Sequence, residues 1–144
     1  MRFWDSSAIV PLVVEEARSR GCRNLLRSDN IQVVWSFTQT EVVSAIWRQH
    51  RAGLLSKLVV TSAETRIAKF AARWAEVVAV ALVRDEAERL LRRYPLRAAD
   101  SLQLGAACVW AEGKPRSREF VALDEELIKA AQGEGFETVM PATK

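Results

Sequence analysis

Short apolar runs alternate with longer stretches of helical periodicity along this chain, and that order leaves few folds open. Phe3-Trp4 and the runs at 31–34, 77–80, 120–123 and 136–139 read as strands. Between them, helical spacing predicts helices at about 15–27, 38–51, 56–75, 85–94, 98–110 and 125–132. Gly53 stops the second of these, Pro95 the fourth, and residues 112–118 form a polar loop. Strands alternating with helices build a parallel sheet covered on both faces, so the expected fold is a three-layer α/β/α sandwich. The valine-rich run at 77–80 has the continuous apolar character of a strand buried on both sides. The helical pair between 38 and 75 is expected as a hairpin on the sheet edge, with an apolar stripe suited to a partner protein. Length predicts a single domain over 1–144 with a tail from about Pro141.

Composition narrows the class further. With 49% hydrophobic and 27% charged residues, the chain has the makings of a globular core. No run approaches the roughly 18 apolar residues of a membrane span, and Asp5, Glu15 and Glu16 interrupt any signal-peptide core. A cytoplasmic protein with no membrane association is therefore expected. Cys22 and Cys108 are too few for a disulfide framework or a zinc site and read as small apolar residues. His50 is the only histidine, which excludes paired-histidine acid–base chemistry. No GxxxxGK[ST] loop, no G-x-S-x-G elbow and no Asp-x-Asp near the N-terminus is present. The net charge of +3 leans only mildly toward polyanionic partners.

Four carboxylates share one kind of local setting. Asp5, Glu41, Asp100 and Asp124 each stand where an extended or loop segment turns into a helix. Helix starts that follow parallel strands gather at one sheet edge, so acids far apart in sequence can meet in one pocket. Carboxylates at close quarters repel one another and call for a cation, and hard oxygen donors suit Mg²⁺ or Mn²⁺. Such an ion can activate water and relieve charge on a phosphodiester. Capping explains the same residues more plainly. Asp5-Ser6-Ser7 and Asp124 fit N-caps, Thr38-x-x-Glu41 fits a capping box, and Asp100 suits a helix dipole. Asp100 lies among Ala98, Ala99, Leu102 and Leu104, where a carboxylate is costly to bury without a partner. Either a metal or Arg97, one turn back, would serve.

Taken together, four windows resemble the PIN-domain nucleases, and among them the VapC-type toxins of prokaryotic toxin–antitoxin pairs. They are Phe3-Trp4-Asp5-Ser6-Ser7-Ala8, Thr40-Glu41-Val42-Val43-Ser44-Ala45, Leu96-Arg97-Ala98-Ala99-Asp100-Ser101-Leu102, and Phe120-Val121-Ala122-Leu123-Asp124-Glu125-Glu126-Leu127. The run 47–53 is also similar to the family's basic helix end. The resemblance spans nearly the whole chain. It implies a PIN-like α/β/α sandwich and an endoribonuclease that needs Mg²⁺ or Mn²⁺. Asp5 and Asp100 correspond to the acids tied most firmly to metal, Glu41 and Asp124 to the rest of a catalytic quartet, and Ser7 to a supporting hydroxyl. It further implies a cognate antitoxin and a homodimer. Ala122 departs from the pattern, since the family often carries a hydroxyl residue there.

Arg48, Arg51, Arg92, Arg93, Arg97, Lys114, Arg116 and Arg118 are the cations able to guide RNA. Arg97 is the foremost RNA-binding candidate because it stands one turn from Asp100, with an ion pair to that acid as the simpler alternative. Trp35, Trp47, Trp74 and Trp110 lie in apolar segments and are expected in the core, whereas Trp4 is the one tryptophan expected near the site. Two functions follow: a metal-dependent ribonuclease acting as a toxin, or a catalytically weak PIN-like module that binds RNA or protein.

Overall fold

A computed structural model describes residues 1–143 of the chain. The strands are β1 (Arg2–Trp4), β2 (Gln32–Trp35), β3 (Ala75–Val77), β4 (Glu119–Val121) and β5 (Glu137–Val139). The helices are α1 (Ser6–Val13), α2 (Ser19–Ser28), α3 (Thr38–Arg51), α4 (Lys57–Ala71), α5 (Val80–Arg93), α6 (Ala98–Ala111) and α7 (Glu125–Glu134). All strand pairs are parallel, in the order β3-β2-β1-β4-β5. The chain moves outward from β1 through β2 to β3, then returns to lay β4 against the other side of β1. The crossover reverses there, which opens a crevice at the carboxyl ends of β1 and β4.

Strand alternation divides the core in two. Phe3, Val33, Trp35 and Phe120 join one cluster with residues of α5, α6 and α7. Trp4, Val34 and Val121 join the other with α1, α3, α4 and Cys22 of α2. Successive side chains on a strand face opposite ways, so each three- or four-residue strand feeds both layers. Full burial of Phe3 and Phe120 contributes about 1.5–3 kcal/mol apiece, and their rings stack at 5.5 Å. On that face α5 runs close along α6. A side chain at Gly105 would place its Cβ 3.0 Å from the Ala87 nitrogen and the Val83 oxygen, so the approach requires glycine.

The α/β sandwich agrees with the alternation of runs, and α3 begins and ends where the sequence predicts, with Gly53 beyond it at φ 78°. Several expectations change. The run at 77–80 is no buried strand. β3 ends at Val77 on the sheet edge, Val78 is exposed, and Val80 opens α5. Four valines and alanines fit a strand or a helix start equally well, and pairing with β2 decides. α1 follows the cap that Asp5-Ser6-Ser7 marks, but its length is hidden in the sequence. It is buried from Ala8 to Val13, so it shows no amphipathic period, and Pro11 reads as a breaker. The α3–α4 hairpin packs against α1, with Val42, Ile46, Val60, Ala63 and Ile67 in the core. Its exposed apolar residues are Leu54, Leu58 and Val59 at the turn. Pro141 is buried and its carbonyl accepts from Arg18 at 2.7 Å, so the segment from 141 is docked rather than a free tail; Lys144 lies outside the described residues. Among the described residues no helix is long and apolar enough to cross a membrane.

Candidate functional site

Asp5 and Asp124 come to the β1/β4 crevice because each directly follows or nearly follows one of those strands. The Asp5 backbone N–H donates to the Val121 carbonyl at 2.9 Å, which fastens the two strand exits together. Ser7 adds a second tie. Its Oγ accepts from the Leu123 N–H at 2.9 Å and donates to Asp5 Oδ2, which also accepts from the Ser7 N–H at 3.0 Å. Ser7 therefore supports Asp5, as its place in the sequence suggests. Glu41 reaches the crevice from α3 and Asp100 from the first turn of α6. All four acids line one open pocket of about 880 Å³, with Ser7, Arg48 and Arg97 also on its walls.

The capping alternatives divide. Asp5 does cap α1 through the Ser7 N–H, and Asp124 Oδ1 caps α7 by accepting from the Leu127 N–H at 2.8 Å. Glu41 does not close a capping box. Phe37, not Thr38, stands at the N-cap of α3, with no side-chain cap bond. Thr38 lies inside the helix, buried, and its hydroxyl accepts from Gln103 Nε2 at 3.1 Å. The same Gln103 nitrogen donates to Glu41 Oε2. Gln103 is 1% exposed and bridges α6 to α3 over the sheet edge. Sequence reasoning missed it. Its signal was a lone amide within the apolar run 101–107, where a buried polar group must find a partner.

Electrostatics sets these acids apart. Asp5 is 3% exposed, and burial pushes its pKa from 3.8 to about 6, opposed by the Ser7 bonds and reinforced by Asp100 and Asp124. Glu41 is pushed from 4.5 to about 7, first by burial, against the Gln103 hydrogen bond and with the negative charges of Asp5 and Asp100. Burial also raises Asp100, helped by Asp124 and resisted by Arg97. Arg97 lines the rim, exposed, and among the described residues it forms no ion pair with Asp100. Its charge still holds the Asp100 carboxyl down in part, without a direct ion pair.

A divalent ion fits the donor chemistry, which is all carboxylate and hydroxyl oxygen. No three acidic, thiol or imidazole groups among the described residues form a ready-made ion cage. A cage is not what Mg²⁺ requires: it keeps several waters and takes one or two carboxylates directly. Asp5, Glu41, Asp100 and Asp124 bring carboxylate oxygens to the wall of one pocket, the donor type such an ion takes.

The remaining expectations sort cleanly. Trp4 is wholly buried in the α1/α3/α4 core and does not line the pocket, which corrects its placement near the site. It follows the inward alternation of β1 while Asp5, one residue on, has already left the strand. Ala122 is likewise buried in the core. Of the other cations, Arg48 lines the pocket, Arg93 pairs with Glu134, and Arg118 lies 4.7 Å from the centre of the Trp110 ring. Trp47 and Trp74 are half-buried and donate to Glu64 and Gln32. No protein-family model matches the chain, and comparison with curated proteins finds no match.

Proposed function

We propose that this chain is a divalent-metal-dependent endoribonuclease, the toxin of a type II toxin–antitoxin pair. The observation that carries the reading is the meeting of Asp5, Glu41, Asp100 and Asp124 in one pocket, where burial and nearby negative charge raise the pKa values of Asp5, Glu41 and Asp100. Acids perturbed by burial and by one another in a cleft are candidates for a functional site. The four sequence windows that resemble the PIN-domain nucleases supply the reaction class.

Asp5 and Asp100 hold the ion, Mg²⁺ or Mn²⁺, with Glu41 and Asp124 completing the negative wall around it. When bound, the ion supplies charge relief at the phosphoryl oxygens and favours attack by water. Glu41 is held by the Gln103 amide, which donates to its Oε2, and with no ion in place burial pushes its pKa up to about 7, a cost that a bound cation would relieve. Ser7 keeps Asp5 in place. Arg97 and Arg48 at the pocket wall position the RNA backbone. The antitoxin covers the apolar turn at Leu54, Leu58 and Val59 and offers a cation to the acids; the toxin itself pairs as a homodimer in the cytoplasm.

The test is induced expression of the chain in a bacterial host with RNA ends mapped over time. Growth arrest with discrete new RNA ends supports the toxin reading, and normal growth with intact RNA contradicts it. A monomer by light scattering at high concentration would remove the homodimer. The second reading is a catalytically weak binding module that uses the same pocket to hold RNA or protein. RNA binding without ion-dependent turnover would favour it.

A further inference from the structure

Beside the acid pocket lies a smaller notch of about 360 Å³ with almost wholly carbon walls. Trp35, Phe37, Ala99 and Leu102 form it, and Thr40 and Glu41 line its border. Thr40, Glu41 and Ala99 also line the acid pocket, so the two hollows share a wall. Trp35 is buried at the end of β2, whereas Phe37 is 54% exposed, with ring centres 5.2 Å apart and planes at 65°. Nothing in the α3 N-terminus calls for phenylalanine: Phe37 occupies the N-cap, where Ser, Thr, Asp or Asn is preferred.

We infer that this notch receives an unpaired nucleobase of the RNA strand, next to the phosphate held at the acids. The inference rests on the nuclease reading of the acid pocket. Size limits the occupant to something like a single flat ring; a helix or an extended apolar peptide would not fit. Charge excludes a phosphate, because among the described residues no cation lines the notch and Glu41 stands at its border. The shared wall supplies the register: a strand with one phosphate at Asp5 and Asp100 carries its neighbouring base over Phe37. Aromatic side chains stack on any base through its π-face. Thr40 and Glu41 are the only polar side chains at the border, so selection is for an unpaired base rather than for a sequence. Bases in an RNA duplex are stacked and paired and cannot enter.

The test uses the full chain with Mg²⁺ or Mn²⁺ and a short single-stranded RNA cut at one mapped bond. Wild type, Phe37→Tyr and Phe37→Ser are compared on that RNA, on its duplex, and on versions with one abasic position. Ser improves the helix cap, so its effect does not come from a weakened α3. The expected result is a KM about tenfold higher for Phe37→Ser, as loss of one stacked base predicts, with kcat little changed and Phe37→Tyr near wild type. One abasic position adjacent to the cut should reproduce that rise in wild type and add nothing in Phe37→Ser. The duplex should be a poor substrate. An unchanged KM for Phe37→Ser beside active wild type would overturn the inference alone and leave a partner's apolar side chain as the occupant. Wild type without ion-dependent cleavage would overturn the nuclease reading and this inference with it.

Discussion

Asp5 and Glu134 are both nearly buried carboxylates, yet the molecule treats them in opposite ways. Burial is the largest influence on Glu134 and works to raise its pKa, but its neighbours win and the net change is downward. Arg89 reaches it at 2.6 Å, Arg93 at 3.2 Å, and the Tyr94 hydroxyl donates at 2.8 Å. Two guanidiniums and a phenol complete that carboxylate from within the chain, tying α5 to α7. Asp5 receives only the N–H and hydroxyl of Ser7, faces Asp100 and Asp124, and ends at a pKa of about 6. A carboxylate with its cations in place is finished structure. One held among other acids keeps an electrostatic cost that a ligand can relieve.

The largest effect expected from this contrast is a pair of opposite changes in one variant. Asp5→Asn should lower RNA cleavage by about a thousandfold or more, the loss expected when several kcal/mol of ion-based stabilisation goes. The same change should raise the melting temperature in EDTA. Asn keeps the N-cap, and a pKa rise from 3.8 to about 6 corresponds to roughly 3 kcal/mol removed at neutral pH. The sign follows from proton binding. The folded state holds the Asp5 proton more tightly, so its penalty is absent well below 3.8 and grows as pH rises from there to about 6. Melting curves of wild type and Asp5→Asn should therefore converge toward pH 4 and separate by pH 7. A gap of constant size across that range would break the comparison.

Glu134→Gln should do the reverse. It leaves two guanidiniums without their carboxylate and should cost about 1–2 kcal/mol, a value reduced by the exposure of Arg89 and Arg93. Its pKa is depressed, so this stability is present above the ordinary carboxyl range and fades as pH falls through the folded value. RNA cleavage by the folded variant should be unaffected. A smaller effect is expected at Gln103. Gln103→Leu removes the donor that lowers the Glu41 pKa, so the acidic limb of the cleavage profile should move to higher pH, with activity down about tenfold for one charge-assisted hydrogen bond. A merely structural role for Gln103 would lower stability without moving that limb. Arg97→Ala should be smallest, a few-fold rise in KM that shrinks as salt is added, since exposed phosphate contacts are each worth little and are screened.

The sheet and the pocket were legible to different depths in the sequence. Apolar runs announced β1, β2, β4 and β5, and the helix-start position of Asp5, Glu41, Asp100 and Asp124 foretold their meeting. Local pattern failed where tertiary packing decides. β3 lies two residues earlier than its valines suggest because Trp35 pairs with Val77. The extent of α1 beyond its Asp5 cap is hidden because Ala8 to Val13 are all buried. The Thr38–Glu41 pattern looked like a capping box, but both side chains turn to Gln103, a residue 62 positions beyond Glu41. No local rule sees that bond. The arginine pair on Glu134 was equally invisible, since α5 and α7 meet only in the folded chain.

The most direct test of the central claim is RNA cleavage by purified wild type and Asp100→Asn, each with Mg²⁺, Mn²⁺ or EDTA, with folding checked by circular dichroism. Cleavage by wild type that requires the ion and disappears in the folded Asp100→Asn protein is the predicted result. Equal cleavage by both proteins, or wild-type cleavage that persists in EDTA, would contradict it.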